Sequence, residues 1–220
     1  MSVTTHERPG VYSEYDASSV VQGRQGRKMV GMAAIHATAP AGVPQTVTSY
    51  ESALIAFGST GGQDMTELIR LALKNGAAGV VAVPVADEEG YEAAFAALAA
   101  MDDIGVVICD SVDREVQQSL RDSAAAASAA RRERIAVAAG GAGETVTELL
   151  ERAKALNSER VVLVAPGGTD EEGEAVSGLS LAAAVAGAIA GTTDPALPLG
   201  GAVLSGLYGL ETTYGDNDLD

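Results

Sequence analysis

Tryptophan is absent from the 220 residues, aromatic side chains make up 4%, and there are one cysteine and two histidines. A core without large rings has to be filled by small aliphatic side chains, which favours helices packed closely on a sheet. Cys109 has no partner for an internal disulfide, and His6 and His36 are too few to build a Cys/His zinc cluster. A reducing site of synthesis follows. Long apolar runs are missing as well: residues 179–190 form the longest, short of the roughly 20 that a membrane helix needs. Glu7, Glu14 and Asp16 interrupt the opening segment, so no secretory leader and no membrane insertion are expected, and the chain reads as soluble.

Positive charge is scarce. Lys and Arg number 14 against 30 Asp and Glu, for a formal charge of −16. From Asp170 onward there are nine acids and no Lys or Arg. A surface of this sign repels phosphate backbones, so direct binding of nucleic acid is not expected. The acidity either keeps the protein in solution or offers a face to a basic partner. What remains is a 47% hydrophobic, 20% charged chain, enough for one domain with a core and an appendage.

The appendage comes first. Residues 1–22 show no helical periodicity, break at Pro9-Gly10, and continue in Val11, Tyr12, Ser13, Glu14 and Tyr15 with apolar and polar residues interleaved, an extended segment. Such an arm cannot bury itself; it lies on its own body, stays disordered, or pairs with the sheet edge of another molecule. From Lys28 the chain alternates between strand-like and helix-like runs. Strands are predicted over 28–36, 79–85, 104–109, 135–139 and 160–165, and helices over 50–57, from Asp64 to Asn75-Gly76, around 91–98, from Val112 through Ala124 toward Arg131, after Thr145, and over 179–190. Capping boxes are expected at Asp64/Glu67 and Thr145/Glu148. Val146, Leu149, Leu150 and Ala153 are expected to form the inner face of the helix after Thr145, with Glu148 and Arg152 as an i,i+4 ion pair. Near-continuous Val/Ile/Leu strands alternating with helices imply an α/β fold, a mostly parallel sheet with helices on both faces.

Few constellations point to chemistry. His36 is the one imidazole in the body, at a strand end, and no G-x-S-x-G elbow accompanies it. Cys109 ends an apolar strand beside Asp110, whose charge would raise a thiol pKa, so it reads as core. Gly140, Gly141, Ala142 and Gly143 lie between a strand and a helix, where backbone N–H groups can face phosphate, although Glu144 stands where the anion would sit and the strict phosphate-loop spacings are missing. Asp216, Asp218 and Asp220 begin like a calcium loop but lack its later ligands. Arg131, Arg132 and Arg134 read as a solvated helix end or a contact for an acidic neighbour. No catalytic, cofactor-binding or metal-binding residues are assigned.

Arg8, Pro9, Gly10, Val11, Tyr12, Ser13 and Glu14, with the run from Lys28 to Ala33, resemble the opening arm and first strand of the tail sheath proteins of contractile phage tails and related injection particles. Phe57-Gly58, the stretch 68–85, the Ala/Gly-rich run 184–191, Thr193-Asp194-Pro195 and Pro198-Leu199-Gly200-Gly201 are similar to later parts of that family. The resemblance implies a subtilisin-like but non-catalytic body and a structural, non-enzymatic role without cofactors. Subunits would stack as a homo-oligomer of six-fold rings around an inner tail tube protein, on a baseplate, in a virion tail or tail-like particle assembled in the bacterial cytoplasm, contracting to drive the tube through a cell envelope. Residues 1–22 would be the assembly arm, with Pro9, Gly10, Val11, Tyr12 and Glu14 at a subunit interface. Residues 23–200 would be the sheath body, and 201–220 the start of a C-terminal module that is missing or truncated. The alternative from another class is a Rossmann-like nucleotide- or phosphate-binding enzyme using Gly140 to Gly143.

Overall fold

The structure, a computed structural model, describes residues 28–59, 62, 64–192 and 198–215. The arm residues Pro9, Gly10, Val11, Tyr12 and Glu14, and the acidic Asp216, Asp218 and Asp220, lie outside the described residues.

Short Val/Ile/Ala runs can sit in a sheet only if both faces are covered, and that is their situation here. Strands β1 (Met29–Ile35), β2 (Gln45–Val47), β3 (Val80–Val85), β4 (Ile104–Cys109), β5 (Ile135–Ala139) and β6 (Val161–Val164) form one sheet in the order β2-β3-β1-β4-β5-β6. All pairings are parallel except that of the edge strand β2, which runs antiparallel to β3. Val30 of β1 is opposite Val80 on one side and Val106 on the other.

Six helices cover the sheet: α1 (Tyr50–Phe57), α2 (Met65–Lys74), α3 (Tyr91–Ala99), α4 (Arg114–Ala129), α5 (Val146–Leu156) and α6 (Gly178–Gly191). On one face Leu68 and Ile69 of α2 and Ala183 of α6 pack with Val30, Met32 and Ile108. On the other, Tyr91 and Phe95 of α3 and Leu120 of α4 pack with Val81, Val83 and Val107. Strand alternation sends neighbouring residues to opposite cores.

Helix α6 follows β6 in the chain yet lies across the middle of the sheet, against α2, β4 and β5. Small residues permit this. A Cβ on Gly187 would stand 2.2 Å from the carbonyl oxygen of Ala72, and one on Gly191 would stand 2.7 Å from that of Gly76. The α2–α6 crossing is therefore made backbone to backbone. Beyond it, β7 (Gly168–Thr169), β8 (Ala175–Val176) and β9 (Gly209–Leu210) form a small antiparallel sheet in the order β8-β7-β9.

Three local expectations are corrected. At α2 only half a capping box forms: Asp64 accepts from the Glu67 N–H at 2.9 Å, while the Glu67 carboxylate turns to Arg70 Nε at 2.6 Å. Helix α4 starts two residues later than its apolar spacing suggests, because the Asp113 carboxylate accepts from the N–H groups of Glu115 and Val116 and leaves Val112 outside. The buried face of α5 is Arg152 and Leu156, whereas Leu150 and Ala153 are exposed. The Thr145/Glu148 box forms as expected, and it engages the carboxylate that the i,i+4 pair required.

Candidate functional site at the carboxyl ends of the sheet

A doubly wound parallel sheet offers ligands a crevice beyond the carboxyl ends of its strands, at the point where strand order reverses. Here that point lies between β1 and β4, and a side-chain clasp crosses it. Asp110, directly after β4, accepts the Ile35 N–H at 2.9 Å through one carboxylate oxygen and the Tyr91 hydroxyl through the other, while its own N–H donates to the Ala33 carbonyl at 3.2 Å. Burial pushes the Asp110 pKa up, opposed by these donors; burial and the adjacent carboxylate push the Tyr91 hydroxyl up. The clasp ties β1, β4 and α3 together.

The neighbouring nucleophile and base candidates are equally engaged. Burial, with a further push from Asp110, raises the Cys109 thiol to about 12, so it is no thiolate at neutral pH. His36 lies with Nε2 2.9 Å from the Phe57 carbonyl and accepts the Ala39 N–H on Nδ1 at 3.0 Å, which fixes its tautomer and uses both ring nitrogens.

The glycine loop between β5 and α5 borders a cavity of about 220 Å³, lined in part by Gly140, Gly141, Glu144, Pro166 and Tyr214. Its own carboxylate fills the anion position. Glu144 accepts the Gly141 N–H at 3.0 Å and is held by Arg152 on both oxygens, the Nε contact measuring 3.0 Å. The Arg152 hydrogen bonds lower the Glu144 pKa, so the carboxylate is ionised at neutral pH and repels any incoming phosphate. Arg152 also donates to the Val112 carbonyl at 2.7 Å and to the Gln117 side-chain oxygen at 3.0 Å, and the Gln117 amide donates to the carbonyls of Ser111 and Ala139. This polar knot joins the ends of β4 and β5 to α4 and α5.

Of the arginine cluster, Arg131 is exposed just past α4, as a solvated helix end would be, but Arg132 and Arg134 are not. Arg134 is 2% exposed and donates to the carbonyls of Leu98 and Met101, and Arg132 reaches Ala99 and pairs with Asp102. Together they cap the C-terminus of α3 rather than that of their own helix. Sequence reading missed Arg152, Gln117 and the Asp110–Tyr91 clasp. A glutamine at position 117, beside Val116 on the apolar stripe of α4, was the one available signal. Among the described residues, no group of three or more His, Cys, Asp or Glu side chains could hold a metal ion, and no helix is long and apolar enough to cross a membrane.

No family model matches the sequence, and no curated protein matches it. Solved structures do. The helical sheath of the anti-feeding prophage in its contracted state aligns with a TM-score of 0.64 at 19% identity, covering 98% of this chain and 61% of that one. A chain of the same particle's six-fold symmetrised baseplate aligns with a TM-score of 0.64 at 19% identity, over 98% of this chain and 62% of that one. The sheath tail protein from Desulfitobacterium hafniense aligns with a TM-score of 0.60 at 14% identity, over 83% of this chain and 62% of that one. The chain thus spans about three fifths of the length of these solved chains. With a mostly parallel sheet and helices on both faces, its fold is that of the tail sheath proteins.

Proposed function

We propose that this chain is a structural subunit of a contractile tail sheath, in a phage tail or a phage-tail-like particle. The observation that carries the reading is the alignment with a helical sheath over 98% of the chain. The filled glycine loop supports it, because a building block has no use for a ligand crevice. Subunits that repeat by a rotation that does not close stack into a helical tube, and a two-state change in their packing shortens it. Copies would stack as six-fold rings around an inner tail tube protein and join a baseplate, with assembly in the host bacterial cytoplasm. Neighbours would be linked by residues 1–22, in which Pro9 and Gly10 set the bend, Val11 and Tyr12 fill alternate pockets, and Glu14 extends the contact.

Electron microscopy of concentrated protein tests the reading: hollow cylinders or rings are expected, and uniform small globules would sink it. Deleting residues 1–20 is expected to leave a folded monomer, and a truncated protein that still forms tubes removes the role of the arm. Titration with nucleotides in a calorimeter is expected to give no heat.

A further inference from the structure

Parallel strands flanked by helices place every strand's carboxyl end, and the N-terminus of the helix that follows, at one end of the body. Two grooves at these opposite ends have linings of opposite charge. Beyond β3 and β4, Glu88, Glu89, Glu92, Asp113 and Glu115 border a groove of about 320 Å³ whose lining holds no cation. Their placement follows from helix dipoles, since acids favour the N-termini of α3 and α4, but the consequence is an acidic face. Next to it Val112 and Ile35 are 38% and 47% exposed.

At the other end, below the amino ends of β4, β5 and β6, lies a cleft of about 430 Å³ walled by Val106, Ile135, Ile189 and Ala190. Lys28, Arg134 and Arg160 also line it, against the one acid Glu133, which pairs with Arg160 at 2.6 Å. Arg134 is 2% exposed, and its Nε has no hydrogen-bond partner although both Nη groups do. In a chain of charge −16, a cation-lined apolar cleft is the exception.

The geometry points to a head-to-tail contact between copies, in which the acidic carboxyl-end face of one subunit docks on the cationic cleft at the amino end of the next. The occupant is a second copy because the charge complement is present on the same molecule: a groove lined by acids at one end, an apolar cleft bordered by cations at the other. Two different surfaces joined in this way make a heterologous contact, which propagates as a ring or helix instead of ending at a dimer. Charge complementarity sets its register and makes it weaken with salt. The inference rests on the reading of the chain as an assembling subunit and specifies which of its surfaces meet.

Sedimentation velocity on the full chain at low and high salt tests it, with two double variants. Lys28→Glu with Arg160→Glu reverses the cleft, and Glu89→Lys with Glu115→Lys reverses the opposite face; thermal melting followed by circular dichroism checks that both fold, and Lys28→Gln with Arg160→Gln replaces the first pair if it does not. Each variant alone is expected to raise the concentration needed for assembly by about tenfold or more. Mixing the two reversed pairs in equal amounts is expected to restore assembly, since each then presents the partner's complement. Wild-type assembly that ignores salt and both variants overturns the contact while leaving the sheath reading intact. Wild-type protein that forms no particles at any salt overturns both.

Discussion

The α2–α6 crossing and the α5 flank hold their helices by opposite means. At the crossing, Gly187 and Gly191 bring backbone onto backbone, and Leu68, Ile69, Ala72 and Ala183 are buried around it. On the flank, the only fully buried apolar residue of α5 is Leu156, and arginines do the holding: Arg152 reaches Glu144, Val112 and Gln117, while Arg121 of α4 donates to the carbonyls of Ala155 and Leu156. One region is stabilised by close contact over an area, the other by a few directed bonds. Damage should therefore spread differently in the two.

Replacing Gly187 with Ala puts a methyl 2.2 Å from a backbone oxygen that cannot rotate away, so the helices must separate. A loss of about 3 kcal/mol or more is expected in urea unfolding. Arg152→Met removes the partner of a mostly buried carboxylate and leaves Gln117 short of a donor; because Glu144 reaches solvent at its edge, the expected loss is about 2 kcal/mol.

Acid tests the flank alone. Arg152 holds the folded Glu144 pKa below its unfolded value, so the stability from this pair is complete above about pH 4.3 and is lost as pH falls through the lower, folded value. Glu144→Gln should flatten that limb of the stability curve, whereas Gly187→Ala should shift the whole curve without changing its shape. The smallest effect belongs to Leu150→Ala: the side chain is 50% exposed, and the change is expected to stay within about 0.5 kcal/mol.

The same contrast explains what the sequence made legible. Helix α1 begins at Tyr50 and ends at Phe57, and β4 and β5 run over 104–109 and 135–139, all as periodicity and turn residues predict. Those signals are local. Arg152 and Glu148 stand at a spacing that pairs them on an isolated helix, yet Gln117, 35 positions away in sequence from Arg152, and the Val112 carbonyl draw the guanidinium inward. Likewise Arg134 looks like a helix end from its neighbours in sequence and is a cap for a helix that ended at Ala99. Contacts between distant segments leave no periodic trace, and the small β8-β7-β9 sheet, with its two-residue strands, leaves none either. The Glu144 obstruction of the glycine loop was readable, because a carboxylate at the start of a helix competes for the same N–H groups as phosphate.

Where Gly76 and Gly191 meet, no flexible side chain lies between the two helices to act as a cushion. Packed interiors compress little and pass strain along. A push on α6 thus arrives at α2, and at the strands beneath both, without being absorbed on the way. Backbone contact at the α2–α6 crossing couples the two helices directly.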